Sequence, residues 1–496
     1  MAEQQSDYRQ IVKATSLFGG VQVFQIVIQV VRSKFIAILL GPNGMGIAGL
    51  LFSTTNLINS ITGFGLGTSA VKDIAAASGT NDEGHIARVI RVLRQLVWFT
   101  GTLGALVTLV LSPWLSTITF GNREYTMAFI WLSITLLFNQ LTTGQTALLQ
   151  GMRKLQYLAK ANLAGSALGL LFTVPLYYIW GIKGIVPGMI VTSLLALLAS
   201  WYFSNKVKVE KAKVTFNDTV NIGKNIITLG FMISLSGLTS IGAAYLVRIF
   251  IRMTGGVDQV GLYNAGFTII NTYVGLVFTA MATEYYPRLS SAAGDNKLSR
   301  QIINQQAEIV LLVLAPILLV FLVFIKWVVI ILYSNSFTAI NEMIYWAALG
   351  MFFKAASWSI AFILLAKGAG KLFFLNELIG NLNLLILNIA GYHFFGLTGL
   401  GISFLCGFFL YLCQVFFISK KKFEFSFDKA FLRIFSIQFM LAIASFIAVN
   451  LLERPWSYIP GVILITFSVL YSYKELDKRI AIKSVILGVK EKIGLK

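Results

Sequence analysis

The sequence predicts an all-α polytopic membrane bundle of about fourteen transmembrane helices, from its composition, its long apolar spans and the charges of its loops. Of 496 residues, 57% are hydrophobic and 12% are charged, whereas soluble proteins carry about 25% charged residues. Apolar stretches long enough to cross a bilayer, which takes roughly 20 residues, recur along the whole chain. We therefore expect an integral membrane protein.

The apolar spans follow one another with short connections, so no extramembrane domain of useful size is expected. Their approximate limits are 15–40, 46–71, 91–116, 125–150, 157–179, 182–204, 225–252, 258–286, 303–333, 340–366, 371–395, 397–418, 431–452 and 456–473.

Lysine and arginine concentrate in alternate loops. Lys72 and Arg88 follow the second span, and Lys420 to Lys422 follow the twelfth. The opposite loops carry little more than Arg123, Lys183 and Arg454. Cation-rich loops face the cytoplasm, so both termini are predicted to be cytoplasmic. The net charge of +20 is spread over these loops, and nucleic acid is not expected as a partner.

An internal repeat relates the two halves of the chain, with matched residues 215 positions apart throughout. The matched pairs are Gly41 with Gly256, Gly46 with Gly261, Phe52 with Phe267, Asn56 with Asn271, Thr68 with Thr283, Gly79 with Gly294, Gly181 with Gly396 and Gly184 with Gly399. The repeat predicts two pseudo-symmetric six-helix lobes, residues 1–215 and 216–425, related by an axis along the membrane normal. Residues 426–496 form two extra helices and a basic cytoplasmic tail in this prediction.

The first span carries a polar stripe. Gln22, Gln25, Gln29 and Arg32 are spaced so that they fall within about 80° of one helix face. A permanent cation inside a membrane is tolerated where it faces a bundle interior or a water-filled cavity. We therefore predict that this helix forms one wall of a cavity that attracts anions.

Three further cations are candidate ligands for phosphate or carboxylate groups. Arg248 and Arg252 lie one turn apart at the end of span seven, and Lys354 lies near the middle of span ten. A lysine at that depth cannot easily reach either interface, so it should face a cavity or a partner. The alternatives are interfacial anchoring for Arg32, Arg248 and Arg252, and an ion pair with Glu377 for Lys354.

Amides and carboxylates on other spans complete the predicted site. Asn56, Asn271 and Asn381 are candidate cavity-lining amides, although interhelical hydrogen bonding explains each of them singly. The candidate ion-coupling carboxylates are Glu377, Glu284 and Asp73. For the last two, local pairing with a neighbouring cation is the alternative.

Catalytic and metal chemistry are not expected. Cys406 and Cys413 are too far apart along one helix for a disulfide, and His85 and His393 lie beside neither. The sequence contains no nucleophile–histidine–acid set, so no cofactor, metal or enzymatic activity is predicted.

Several motifs near the start of the chain resemble a known family. They are Arg32-Ser33-Lys34, then Leu40-Gly41-Pro42-Asn43-Gly44-Met45-Gly46-Ile47, and Gly63-Phe64-Gly65-Leu66-Gly67 leading to Val71-Lys72-Asp73-Ile74-Ala75. The chain resembles the polysaccharide-transport branch, which includes the O-antigen flippases, of the multidrug/oligosaccharidyl-lipid/polysaccharide (MOP) exporter superfamily. The resemblance is clearest over residues 10–80 and is echoed at 245–295.

The resemblance implies a flippase of the bacterial inner membrane. Its substrate would be undecaprenyl-diphosphate-linked oligosaccharide, an O-antigen or similar surface polysaccharide repeat unit used for lipopolysaccharide, carried by alternating access. Membrane lipid, a polysaccharide polymerase and glycosyltransferases are the implied partners. The family's cationic cavity between two lobes would be lined by Arg32, Arg248 and Lys354.

Other functions remain open at this point. A lipid II flippase and a drug/cation antiporter belong to the same superfamily. A membrane glycosyltransferase, polymerase or ligase acting on the same lipid is a different class, but it would need a larger external loop for its catalytic groups. A scaffold for glycan assembly fits the polar stripes less well.

Overall fold

The computed structural model describes residues 2–79, 82–207, 209, 216–453 and 455–480, and in these residues every regular element is helical. The predicted basic tail beyond residue 480 and Arg454 lie outside the described residues.

The helices follow the order of the predicted spans. They are α1 Ala2–Thr62, α2 Leu66–Gly79, α3 Glu83–Val110, α4 Ser112–Phe120, α5 Thr126–Gly151, α6 Leu155–Trp180, α7 Ile185–Ser204, α8 Phe216–Gly255, α9 Val257–Phe267, α10 Leu276–Ser291, α11 Asn296–Leu332, α12 Asn341–Ala366, α13 Gly370–Phe423, α14 Lys429–Leu451 and α15 Tyr458–Ile480. Short 3₁₀ helices cover Gly181–Gly184 and Asn335–Ile340, and a π-helix covers Thr268–Val274.

Each predicted span coincides with one helix or with two or three consecutive helical pieces. Ten described segments are long and apolar enough to cross a membrane. Three of them, Phe24–Thr62, Leu155–Ser204 and Gly370–Phe423, cover two predicted spans each. Helices of this kind satisfy their backbone hydrogen bonds internally, which a lipid environment requires.

The breaks in the long helices fall on glycines of the repeat. Gly41 interrupts α1 with φ 64° and Gly396 interrupts α13 with φ 57°. Their repeat partners, Gly256 and Gly181, have φ 88° and φ 55°. Glycine adopts positive φ without the steric cost that other residues incur. The matched glycines therefore mark equivalent turns in the two halves of the sequence.

A second repeat pair allows a close backbone approach. A Cβ atom on Gly46 would lie 2.1 Å from the carbonyl oxygen of Val257, and one on Gly261 would lie 1.9 Å from that of Pro42. The turn at Gly41 thus packs on the turn at Gly256 without room for a methyl group. The same offset relates two helix hairpins, in which Gly184 contacts Leu176 and Gly399 contacts Gly391.

The chain forms two compact units. The first is Met1–Leu262 with Leu332–Ser334, and the second is Tyr263–Ile331 with Asn335–Lys496. The repeat assigns α8 to the second lobe, whereas packing groups it with the first unit. The lobes 1–215 and 216–425, with the extra segment 426–496, therefore stay a prediction.

Each unit has its own apolar core. In the first unit the core joins α2, α3, α5 and α6 and includes Leu66, Leu93 and Leu149. In the second unit it joins α10, α11, α12 and α13 and includes Tyr285, Ile303 and Ile360. These packed helices hold the polar side chains described next.

Candidate functional site

The polar stripe of α1 opens into a cavity of about 490 Å³ in the first unit. Gln25, Gln29 and Arg32 all line it, so the shared helix face inferred from their spacing is present. The side chain of Gln22 lies outside the described part of the chain. Helices α5, α6 and α7 supply the opposite wall, with the polar residues Thr142, Asn162, Ser166, Thr192 and Ser200.

Arg32 is held in this cavity by hydroxyl groups. Its Nη2 donates to Thr192 Oγ1 at 2.6 Å, and the same guanidinium donates to the hydroxyl oxygen of Tyr177. Among the described residues, the salt bridges join Arg300 to Asp428, Lys478 to Glu475, and Arg479 to Glu308 and Glu475. Arg32 therefore carries its charge without a carboxylate partner there, and its fork of donors suits an anionic group.

Lys354 lines a separate cavity of about 300 Å³ in the second unit, together with Glu377 and Asn381. Its Nζ donates to Asn271 Oδ1 at 2.7 Å. The ring centroids of Phe278, Phe404 and Phe408 lie 5.9, 5.6 and 5.2 Å from Nζ. Aromatic faces attract a cation electrostatically, so this ammonium group is held by one amide and three rings.

Asn271 belongs to the π-helical segment rather than to an α-helix. π-Turns inside α-helices frequently occur at functional sites. A Cβ atom on Gly275 would lie 1.9 Å from the Asn271 carbonyl oxygen. Glycine at 275 therefore permits the backbone geometry that presents Asn271 to Lys354.

Glu377 is bound to a polar network on α13. The Tyr411 hydroxyl donates to Glu377, and Asn376 Nδ2 donates to the Tyr411 oxygen at 3.0 Å. Gln414 Nε2 donates to Asn376 Oδ1 at 2.8 Å, and Asn376 is fully buried. The carboxylate thus sits at the edge of the cavity with a defined orientation.

The ion pair between Lys354 and Glu377 does not form. Neither residue takes part in a salt bridge within the described part of the chain. Each has a neutral polar partner instead, Asn271 for the lysine and Tyr411 for the glutamate. The structure does bring predicted residues together here, because Lys354, Glu377 and Asn381 line one cavity and Asn271 accepts a hydrogen bond from Lys354.

The other predicted residues lie elsewhere. Arg252 donates to the carbonyl oxygens of Thr119 at 3.0 Å and Ile118 at 2.6 Å, where it caps the last turn of α4. A cation at a helix C-terminus is stabilising, so these contacts support a structural role. Arg248 Nη1 donates to the carbonyl oxygen of Ala244, one turn back along α8.

The remaining amide and carboxylates do not line either cavity. Asn56 is half-buried on α1, and Glu284 is exposed on α10. Asp73 is half-buried on α2. Burial raises the pKa of its carboxyl above the usual value, and the positive charge of the adjacent Lys72 offsets only part of this increase.

Sequence reasoning missed the wall opposite Arg32. Asn162 and Ser166 lie four residues apart on α6, and Thr192 and Ser200 lie eight apart on α7, so each pair shares one helix face. This spacing was a periodic signal, but it does not say which helix faces α1. Pairing α1 with α6 and α7 was the missing information.

Comparisons with known proteins agree with this architecture. The family model described as "Polysaccharide biosynthesis protein" matches residues 35–342, more than half of the chain. The lipid III flippase of Escherichia coli (strain K12) is 21% identical over 357 residues, which cover 69% of this chain and 82% of that protein. The lipid III flippase of Shigella flexneri matches to the same extent.

Two solved structures share the fold. The lipid II flippase MurJ in an inward closed conformation has a TM-score of 0.70 at 13% identity, covering 95% of this chain and 100% of that one. An inward-facing multidrug resistance transporter of the MATE family has a TM-score of 0.69 at 14% identity, covering 83% and 98%. The predicted all-α, multi-pass membrane fold is therefore confirmed.

Proposed function

Because the chain belongs to the polysaccharide biosynthesis protein family, in the flippase branch of the MOP exporter superfamily, we propose that it flips a lipid-linked oligosaccharide. The substrate is undecaprenyl-diphosphate-linked glycan, an O-antigen or similar surface polysaccharide repeat unit. Transport occurs across the bacterial inner membrane by alternating access, with both termini in the cytoplasm. A polysaccharide polymerase and glycosyltransferases are the expected partners.

The observation that carries the proposal is Arg32. It presents a permanent cation inside a polar cavity in which hydroxyl and amide groups, rather than a carboxylate, surround the charge. A phosphate can accept bidentate hydrogen bonds from a guanidinium. The hydroxyl and amide groups of the same cavity suit a glycan, which needs both donors and acceptors. The lipid tail stays in the bilayer.

Lys354 is the second proposed contact for the anionic part of the substrate. It lies in a cavity with aromatic walls and has no carboxylate partner among the described residues. Glu377, on the same cavity, is the first candidate for ion coupling because a carboxylate in a membrane helix commonly marks a proton or cation path. Glu284 and Asp73 remain secondary candidates.

Arg248 and Arg252 are weaker candidates for binding the substrate than Arg32 and Lys354. Arg252 is already bound to two carbonyl oxygens of α4. Arg248 bonds a carbonyl of its own helix. We propose that Arg248 contributes to substrate attraction and that Arg252 mainly supports the fold.

The two alternatives in the same superfamily differ from the proposal in the charge of the transported substrate or in its glycan. A drug/cation antiporter favours a carboxylate in the binding cavity, whereas none lines the cavity of Arg32. A lipid II flippase would use the same diphosphate chemistry and differ only in the glycan. An enzyme acting on the same lipid is not favoured, because the relatives are flippases and transporters.

The proposal is tested by reconstituting the purified protein in liposomes that contain a polyprenyl-diphosphate-linked oligosaccharide. The measured quantity is the fraction of glycan that becomes accessible to an added lectin with time. We expect faster exposure than in protein-free liposomes, and Arg32→Ala should slow it at least tenfold. Arg123→Ala, which removes an exposed loop cation, should leave the rate unchanged. Exposure no faster than in protein-free liposomes would refute the proposal.

The same assay with lipid II in the liposomes distinguishes the proposed function from that of a lipid II flippase. Faster transport of lipid II than of the oligosaccharide lipid would reassign the substrate. Equal loss of transport in Arg32→Ala and Arg123→Ala would show that net charge, and not the cavity, sets the rate.

A further inference from the structure

The first unit contains another cavity, of about 550 Å³, among α3, α5 and α7. It shares no lining residue with the cavity of Arg32. Its walls are mainly apolar and include Leu137, Phe138 and Leu141 of α5. Its three polar or charged side chains outside the tryptophans are Arg94, Gln145 and Asn205.

Arg94 carries a charge that no described residue satisfies. Its side chain makes no hydrogen bond or salt bridge within the described part of the chain, and Arg91 lies one turn away on the same helix. An arginine in a membrane helix is expensive unless it pairs or reaches water. The two neighbouring cations therefore favour an anionic ligand at this place.

Gln145 lies at the same end of the cavity as Arg94, because its neighbour Gly144 packs against Val97, one turn from Arg94. Its Oε1 accepts a hydrogen bond from Ser204 Oγ at 2.5 Å, which fixes the side chain. Its amide nitrogen donates to no described residue, and Asn205, at the end of α7, is exposed beside it. These amides can add hydrogen bonds to an anion held by Arg94.

The apolar part of the cavity extends away from this polar end. Along α5 the lining runs from Leu148 to Leu137, which is about 16 Å at 1.5 Å per residue. That distance is about half of a hydrocarbon core of roughly 30 Å, so the groove fits within one leaflet. Trp98 and Trp201 line it and are 56% and 55% exposed, as is typical of tryptophans near a membrane interface.

We propose that this cavity binds one anionic phospholipid of the leaflet on the lysine- and arginine-rich side of the membrane. The phosphate lies on Arg94, with Arg91 nearby, and an acyl chain lies along α5. Two features favour this occupant. The positive charge of Arg94 complements an anionic headgroup, as in other basic pockets between membrane helices. The apolar lining along α5 begins next to this charge, where an acyl chain attached to the headgroup would lie. The few polar groups present are too sparse for a glycan, which separates this site from the cavity of Arg32.

A bound lipid should stabilise the folded protein. A ligand that binds only the folded state raises its stability by mass action. The lipid would also fill the space between α3, α5 and α7. This role is independent of the transported substrate.

The test is native mass spectrometry of the delipidated protein with phosphatidylglycerol or phosphatidylcholine added. We expect phosphatidylglycerol adducts at lower lipid concentration than phosphatidylcholine adducts, by at least fivefold. Arg94→Gln should remove this preference, Arg94→Lys should retain most of it, and Arg123→Gln should not alter it. A preference that survives Arg94→Gln would overturn the proposal, as would equal affinity for the two lipids.

Tryptophan quenching gives a second readout that does not depend on charge. Phosphatidylglycerol with brominated acyl chains should quench fluorescence, and replacing both Trp98 and Trp201 with Phe should remove most of the saturable part of the quenching. Undiminished quenching in that double variant would place the lipid elsewhere.

A competition experiment identifies the source of the phosphate. Added undecaprenyl diphosphate should displace the brominated lipid no better than unlabelled phosphatidylglycerol does. Displacement at tenfold lower concentration would assign the cavity to the polyprenyl lipid instead. Displacement by glycerol phosphate alone would show that the acyl chain is not recognised.

Discussion

Arg32 and Lys354 both hold a positive charge among neutral groups, but they do so differently. Arg32 contacts hydroxyl groups in a polar cavity, whereas Lys354 contacts one amide and three aromatic rings. A buried charge without an opposite charge costs free energy. Neither residue is explained by stability, and an anionic ligand would account for both.

Replacing Arg32 should separate the effect of its charge from the effect of its hydrogen-bonding geometry. Removing a charge-assisted hydrogen bond costs about 1.5–3 kcal/mol, so Arg32→Ala should reduce transport by about tenfold to a hundredfold. Arg32→Lys keeps the charge but loses the fork of donors, and we expect an intermediate rate. The lectin-accessibility assay measures the three rates. A rate for Arg32→Lys no higher than for Arg32→Ala would contradict a role for charge.

Replacing Lys354 should reduce transport without reducing the thermal stability of the protein. Lys354→Met keeps most of the length of the unbranched side chain and suits the rings of Phe404 and Phe408, so the thermal unfolding midpoint should stay the same or rise. Transport should fall at least tenfold because the cation is gone. Lys354→Arg is the matched control for charge. Transport by Lys354→Met at the native rate would exclude Lys354 from the substrate site.

Periodicity predicted part of the site. The shared face of Gln25, Gln29 and Arg32 followed from helical spacing alone, and all three line one cavity. The proximity of Lys354 to Glu377 was anticipated, but their partners were not. Asn271 and Tyr411 compete for these charges, and such competition depends on rotamers that sequence spacing does not encode.

At the scale of elements, glycines decide where long helices turn and how closely they pack. The repeat pointed to Gly46 and Gly261 as equivalent positions, and their α-carbons approach facing carbonyl oxygens. The sequence could not reveal these contacts, because an identity between two glycines does not say what faces them. It did place the turns, since Gly41 and Gly396 fall at predicted span boundaries.

Adding one methyl group should test the packing of this turn. In Gly261→Ala the new Cβ would lie 1.9 Å from the Pro42 oxygen, so the backbone must shift at a cost of about 1–3 kcal/mol. We expect a lower unfolding midpoint in detergent and a reduced yield of folded protein. Gly242→Ala, where no atom lies within 4 Å, is the matched control. Equal midpoints for the two variants would contradict the close approach.

Two elements departed from simple periodicity. Residues 258–286 were expected to form one α-helical span, but a π-helix divides it at Thr268–Val274. The third span continues into a separate short helix, α4, whose last turn is capped by Arg252. Both features depend on contacts with distant residues, and local propensity does not report them.

At the scale of the whole molecule, composition and hydropathy were sufficient for the fold class. Long apolar stretches can satisfy their backbone in lipid only as helices or closed barrels, and their length selected helices. All predicted spans are present as helical pieces. The division into lobes was less accessible, because packing and sequence repeat group α8 differently.

The orientation of the chain can be tested by labelling. After Cys406→Ser and Cys413→Ser remove the native thiols, Arg123→Cys and Lys421→Cys introduce single cysteines in opposite loops. We expect an impermeant maleimide to label the first in spheroplasts and the second only after lysis, because cation-rich loops stay in the cytoplasm. The reverse pattern would invert the topology.

The π-turn next to Lys354 has a mechanical consequence. A π-turn holds more residues than an α-turn, so its conversion to α-helix would rotate the following helix by about 100°. Asn271 would then move away from the lysine, and α10, which contains Glu284, would rotate about its axis and shift by about 1.5 Å along it. Whatever anion replaces Asn271 on the lysine would favour that rotation, so ligand arrival at one ammonium group could be transmitted along the length of a helix.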